Sequence, residues 1–199
     1  MVFPQVIRTE AENTTNGERL LEGKNVNLRI MEKEDLPLYS EWINNPDFYG
    51  EYDYLDQKSR TEIEKKYDNY PPEKRKFIIQ KKDGTRIGGI EGEQHSTYGG
   101  YLEIGFTIVP EERGKGYCSE AVKIIVDYLF LSNSLNRIQA VTDTRNLPSQ
   151  RVLERAGFMK EGLLRKTAFI RGDWRDLFIY SILREEWKEP KILTKTEKK

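Results

Sequence analysis

Two short segments of this chain hold residues whose types and spacing suit chemistry. The first is Pro110-Glu-Glu-Arg-Gly-Lys-Gly-Tyr-Cys-Ser-Glu-Ala121, which sets two glycines around a lysine between an apolar run and a helical pattern. Glycines free the backbone for a tight turn, and a helix start offers N–H groups with no intrahelical partner. Successive N–H groups in such a turn form an anion nest, to which the positive end of the helix adds. Arg113 and Lys115 bring mobile positive charge to the same place. The chemistry on offer is phosphate binding. A G-x-x-x-x-G-K-[ST] loop does not occur in the chain, and a G-x-G-x-x-G fingerprint fails where Ser119 replaces its third glycine. The second segment runs from Asn146-Leu-Pro-Ser149 to Gly157-Phe158. There Asn146 is a strong helix N-cap, Pro148 suits the first turn and Gly157 is a C-terminal stop. Ser149 is either an ordinary first-turn residue or a hydroxyl donor.

The elements that must carry these segments follow from periodicity. Val26–Ile30 alternates like a half-buried strand. Asp35 is placed to cap a helix that shows Leu36, Tyr39, Trp42 and Ile43 on one side and stops at Asn44-Asn-Pro46. Ser59-Arg-Thr-Glu62 is a capping box for a second helix, which reaches about Tyr70 and is ended by Pro71-Pro72. Phe77–Ile79 and Ile87–Glu93 flank an Asp83-Gly84 hairpin turn, and after Gly99-Gly100 a long strand covers Tyr101–Val109. Ala121, Ile124, Ile125, Tyr128 and Leu129 recur at helical spacing after the glycine loop. Arg137–Thr142 is a strand, and two more follow Phe158, broken at Arg171-Gly-Asp173. The order β-α-α-β-β-β-α-β-α-β-β describes a mixed sheet with helices packed on it.

Composition narrows the function classes. The chain has 199 residues, with 33 Lys+Arg against 33 Asp+Glu. That length suits one domain, and the balanced charge lacks the basic excess of a nucleic-acid binder. One cysteine, Cys118, excludes an internal disulfide framework and a cysteine-rich zinc site, and one histidine, His95, excludes a multi-histidine metal centre. His95 flanks Ser96 and Thr97 in a turn and reads as exposed. No apolar run approaches the roughly 20 residues needed to span a bilayer, and the N-terminus lacks the layout of a secretory signal. The expectation is a cytoplasmic protein with no membrane or nucleic-acid partner. Residues 1–22 read as an N-terminal arm, 23–188 as the folded domain and 189–199 as a charged tail.

Arg113-Gly-Lys-Gly-Tyr-Cys118 resembles the acyl-CoA signature [QR]-x-x-G-x-[GA] of the GNAT acyltransferase superfamily. Cys118 departs from its Gly/Ala, as a small residue that still lets a diphosphate approach. Asn146 through Phe158 is similar to the superfamily's second cofactor segment, in the expected order and at the expected separation. Tyr180–Trp187 is similar to the close of its RimJ/RimL-like branch. The resemblance covers residues 24–188. It implies an α+β GNAT fold: a mixed, mostly antiparallel sheet of about seven strands, splayed at a bulge between the fourth and fifth, with about four helices. It also implies acetyl-CoA as cosubstrate, no metal, and direct acetyl transfer to a primary amine, by a monomer or homodimer. Its cofactor-binding positions fall on Ile108, Val109, Arg113, Gly114, Lys115, Gly116, Tyr117, Cys118, Ser119, Asn146 and Ser149. A backbone amide at Ile108 or Val109 would face the thioester oxygen.

An amine acceptor arrives as an ammonium group and needs a base. Glu103, inside an apolar strand, is the first candidate, ahead of Glu91 and Glu93; its alternative is a solvated or salt-bridged strand residue. Glu51, Asp53 and Asp56 lie in the segment where the resemblance puts the acceptor pocket. Many superfamily members carry a tyrosine acid seven positions after the asparagine, where this chain has Leu153. Ser149, a water or another tyrosine must then protect the sulfur. Cys118 has no histidine near it in sequence and is rejected as a nucleophile. The acceptor expected is a protein or peptide N-terminus or an amino-bearing small molecule. The rivals are a polyamine or aminoglycoside acetyltransferase, a silent acyl-CoA-binding module and, further off, a nucleotide-binding protein.

Overall fold

The structure, a computed structural model, describes residues 20–70, 75–95 and 101–188. The expectations for residues 1–19, Pro71-Pro72, Ser96-Thr97, Gly99-Gly100 and 189–199 lie outside the described residues. Among the described residues eight strands form one sheet, in the order β1-β2-β3-β4-β5-β6-β8-β7. They are β1 Leu20–Glu22, β2 Val26–Ile30, β3 Arg75–Lys81, β4 Arg86–His95, β5 Tyr101–Ile108, β6 Arg137–Asp143, β7 Met159–Ile170 and β8 Asp173–Leu183. Five helices accompany them: α1 Leu36–Asn44, α2 Pro46–Tyr49, α3 Arg60–Asp68, α4 Tyr117–Ser132 and α5 Leu147–Arg155. None is long and apolar enough to cross a membrane.

Two elements exceed the sequence expectation. The additional strand, β1, pairs with β2 from Leu20↔Arg29 to Glu22↔Asn27, so the sheet begins inside the stretch read as an arm. The additional helix, α2, starts where α1 was expected only to stop. Asn45 accepts the Asp47 N–H on its side chain at 2.9 Å and Pro46 takes the first turn, so the stop signal is also a start signal. His95 is the last residue of β4, opposite Tyr101, rather than part of the following turn.

All strand pairs are antiparallel except β5–β6, which pairs only at Leu102↔Ile138 and Glu103↔Gln139. Beyond Glu103 the two strands part. The expected bulge is not the cause: β4–β5 runs without irregularity from His95↔Tyr101 to Gly88↔Ile108. Instead β6 stays with β8 through Asp143↔Leu177, while β5 stays with β4. Gly88 permits that close β4–β5 approach, because a Cβ there would lie 2.1 Å from the Thr107 carbonyl oxygen.

The sheet is covered on both faces. On one, α4 buries Ala121, Val122 and Ile125 completely against Leu28, Ile79, Ile138 and Tyr180, and α5 adds Leu153. The other carries a smaller core of Met31, Leu36, Trp42, Ile43, Phe48, Ile63 and Ile78, in which Trp42 stacks on Phe48 at 5.3 Å. Asp35 holds this second layer to the sheet. It occupies the N-cap position of α1, but its carboxylate does not cap the helix. Arg29 grips it through two nitrogens at 2.6 and 2.9 Å, Arg86 donates at 3.0 Å and the Glu32 N–H at 2.8 Å.

Burial alone would raise the Asp35 pKa, but the Arg29 bonds, the Glu32 amide and Arg86 outweigh it and leave it lowered. A lowered folded-state pKa gives stability that is present above the unfolded value and lost as pH falls through the folded one. Asp35→Asn removes the buried carboxylate that Arg29 and Arg86 share and is expected to cost about 3 kcal/mol or more. Denaturant unfolding at neutral pH checks this. The loss should shrink on acidification below the ordinary aspartate range.

Candidate active site

The gap between β5 and β6 opens into a cleft of about 450 Å³ on the α1–α3 side of the sheet. Its floor is the outward face of β4 and β5, where strand alternation sets Glu91, Glu93, Glu103, Gly105 and Thr107 together. Tyr39 and Trp42 from α1 form one wall with Phe48, Tyr49, Tyr52 and Tyr54. Asp143, Asn146 and Ser149 stand opposite, at the end of β6 and the start of α5, and Ala168, Ile170 and Leu177 come from the β7–β8 hairpin.

Glu103 sits on the last paired position before the strands part, and its carboxylate accepts the Gln139 side-chain N–H at 2.9 Å. Asn146 caps α5 as expected, its carbonyl oxygen accepting the Ser149 N–H at 3.1 Å. Both residues face the cleft, and the Ser149 hydroxyl has no partner among the described residues. The two candidate backbone donors separate. Val109 spends its N–H on the Ile87 carbonyl at 2.9 Å, so its amide is not available to a ligand. Antiparallel alternation turns the Ile108 amide the other way, into the gap that β6 leaves.

The glycine loop lies outside this cleft, at the other end of the gap. Gly114 and Gly116 have φ of 76° and 87°, and a Cβ on either would meet no protein atom within 4 Å. Gly116 is the N-cap of α4 and brings no side-chain cap, which leaves the N–H groups of Tyr117, Cys118 and Ser119 without intrahelical acceptors. This open cradle of backbone donors fits a diphosphate. The charged side chains depart from the expectation. Arg113 is turned onto backbone carbonyls, reaching Ile108 at 3.0 Å, Asp47 at 2.8 Å and Phe48 at 2.6 Å. Lys115 pairs with Glu112 at 2.8 Å, and Lys81 reaches the same carboxylate at 3.2 Å. Backbone amides, not these two cations, are therefore the ready anion donors. Burial pushes the Cys118 thiol up to about 12, which keeps it protonated and agrees with its rejection as a nucleophile.

The acids expected at the acceptor pocket divide. Asp53 lines the cleft, Asp56 lines only an adjoining cavity of about 260 Å³ and pairs with Lys58, and Glu51 is exposed. Burial, with Glu91 nearby, raises the Asp53 pKa against the opposing Tyr54 amide and Arg171. Leu153 is fully buried in the core, so the position of the expected tyrosine acid faces no ligand.

Sequence reasoning missed three contributors. Asp143 is buried and held by Arg145 at 2.8 Å. Arg171, in the β7–β8 turn, donates to the carbonyls of Gly50 at 2.7 Å, Pro46 at 3.3 Å and Asp53 at 3.4 Å, closing the hairpin onto the aromatic wall. Lys76 on β3 projects into the same wall and pairs with Glu91 at 2.9 Å. The one local signal for Lys76 is its alternation with Phe77, which puts it on the sheet face opposite the larger core.

Residues 25–159 match the family described as Acetyltransferase (GNAT) domain. A Bacillus subtilis protein named Probable N-acetyltransferase YjcK is 35% identical over 82% of this chain and 97% of its own length. The spermidine N(1)-acetyltransferase of Escherichia coli K12 is 26% identical over 81% of this chain and 88% of its own. Among solved structures, a Vibrio cholerae spermidine N-acetyltransferase in complex with CoA and spermine superposes with a TM-score of 0.74. It is 25% identical, over 81% of this chain and 96% of that one.

Gly116→Asp tests the cradle. The chain has room for the new side chain, so the fold should survive with about 1 kcal/mol of backbone strain. Its carboxylate would stand among the donor amides, and CoA affinity measured by calorimetry is expected to fall about 100-fold. Unchanged affinity would remove the loop from the cofactor site.

Proposed function

The chain belongs to the GNAT acetyltransferase family, and from that premise we propose that it acetylates a single primary amine on an acceptor of low charge. The acceptor class is a peptide or protein α-amine beside an uncharged side chain, or a monoamine of similar shape, as in the RimJ/RimL-like branch. The chain is an acetyl-CoA-dependent N-acetyltransferase, and acetyl-CoA supplies the activated acetyl thioester. Glu103 takes the ammonium proton, directly or through a water, so that the amine presents a lone pair. The Ile108 amide donates to the thioester oxygen as negative charge develops there. The new N–C bond forms as the C–S bond breaks, and the second proton, which the acetylated nitrogen must lose, passes through the Ser149 hydroxyl to the departing sulfur, so that Ser149 ends as it began. Asn146 holds the first turn of α5, and Ser149 with it, against the gap.

The observation that carries this acceptor class is charge compensation within the cleft. Glu91 is neutralised by Lys76 and Asp143 by Arg145, and burial biases Asp53 toward its neutral form. Glu103, opposite Glu93 in the sheet, is the carboxylate beside the gap, and it accepts from the neutral Gln139 amide. One ammonium group suits that balance better than several. A polyamine acceptor is the second reading, favoured by the spermidine and spermine named for two relatives.

A screen for thiol released from acetyl-CoA decides between them. Its acceptors are peptides with varied N-termini, free amino acids, spermidine and aminoglycosides, each at low and high salt. Peptides or monoamines with uncharged flanks should lead. A dominant spermidine signal that collapses with salt would establish the second reading, and no turnover with any amine would make the chain a silent acyl-CoA-binding module. Glu103→Gln is expected to lower kcat/KM about 100-fold and to flatten its rise with pH. An unaltered profile would clear Glu103 of base duty.

A further inference from the structure

Lys76 lies at the junction of the cleft and the adjoining cavity, which share Tyr39, Tyr49, Asp53, Tyr54, Lys76 and Glu91 among their walls. Its side chain is 12% exposed, and its ammonium is held on several sides. Nζ donates to the Tyr39 hydroxyl at 2.5 Å, meets the Glu91 carboxylate at 2.9 Å and lies 4.3 Å from the centroid of the Tyr39 ring. The Tyr70 hydroxyl donates to the same Glu91 oxygen at 3.2 Å. The Glu91 carboxylate, braced by Tyr70, and the hydroxyl and ring of Tyr39 make up a binding site for an alkylammonium ion. The protein fills it with its own lysine. Burial works against the charge, but Glu91 and Tyr39 outweigh it and keep Lys76 protonated.

The place of this cage relative to the reaction gives it meaning. In the sheet Lys76 is opposite Glu91 and Glu91 is opposite Gly105, so the cage stands two strands from β5. That separation is about 10 Å. An amine reacting beside Glu103 and bearing a second ammonium on a seven-carbon chain, which extends to about the same 10 Å, would bring that second charge to the cage.

Resting on the acceptor reading above, we propose that Lys76 is a specificity-determining residue, whose ammonium occupies the subsite for the distal cation of an α,ω-diamine and so excludes diamines from the cleft. Replacing it with a neutral side chain of similar length vacates the cage and leaves Glu91 and Tyr39 to receive the second ammonium of a ligand. A lysine that merely braces the fold would give no such gain.

The test is calorimetric binding of 1,7-diaminoheptane and heptylamine to the CoA complex of the full chain. The wild-type protein should bind the two within about threefold, and Lys76→Met should shift the ratio toward the diamine by about tenfold or more. Lys76→Arg should keep the wild-type ratio, and adding Glu91→Gln to Lys76→Met should abolish the gain. A folded Lys76→Met protein with an unshifted ratio overturns the proposal. Should that variant fail to fold, a wild-type preference for the diamine of about tenfold overturns it, and a ratio near one sustains it. Binding is read whether or not either amine is acetylated. A shifted ratio without transfer to any monoamine therefore defeats the acceptor reading alone, whereas peptide acetylation with an unshifted ratio defeats this one alone.

Discussion

The parting of β5 from β6 after two paired residues is the constraint on which the rest of the molecule depends. A parallel pair inside a sheet normally satisfies the facing N–H and C=O groups of both strands, and the end of pairing leaves those of β5 to find other partners. Arg113 takes the Ile108 carbonyl, and the Ile108 amide is left for a ligand. The surrounding elements converge on the gap: α4 begins at one end, α5 begins beside its far strand, and the β7–β8 hairpin closes over it. A continuous sheet of the same composition would close the gap beyond Glu103 and leave no passage between the glycine loop and the cleft.

The electrostatics of the site follow a division of labour. Cations near the donor loop are turned onto protein acceptors, with Arg113 on carbonyls and Lys115 on Glu112, so uncapped helix amides face the expected diphosphate. In the acceptor cleft the carboxylates are balanced at close range by Lys76 and Arg145. Such short pairs in a partly dehydrated cleft resist screening better than exposed ones.

Features encoded within a few residues could be read directly from the sequence. The Ser59–Glu62 capping box, the Asp83-Gly84 turn, the apolar stripe of α4 and the Asn146 cap each form as their local spacing predicts. GNAT membership was legible for the same reason, because the two cofactor segments are short and contiguous. What escaped depends on distant partners. Asp35 carries a good capping signal, yet Arg29 and Arg86 claim its carboxylate from neighbouring strands. Arg113 looks like a phosphate ligand until α2 arrives with two carbonyls, and α2 itself hides in an Asn-Pro pair that ends one helix and begins the next. Lys76 gives no sign of its cage, which is assembled from α1, β4 and Tyr70, two residues beyond α3. The acid cluster between Glu51 and Asp56 reads as one feature in sequence and splits into three environments in space.

Arg171 binds carbonyls 118 to 125 residues earlier in the chain. During synthesis the aromatic wall and α2 emerge long before this arginine does. The cleft therefore stays without its closing contact until the β7–β8 turn has been made. The backbone donors of the glycine loop come from one continuous stretch and need no such late partner, whereas the aromatic side of the cleft is closed only by a residue from the far end of the fold.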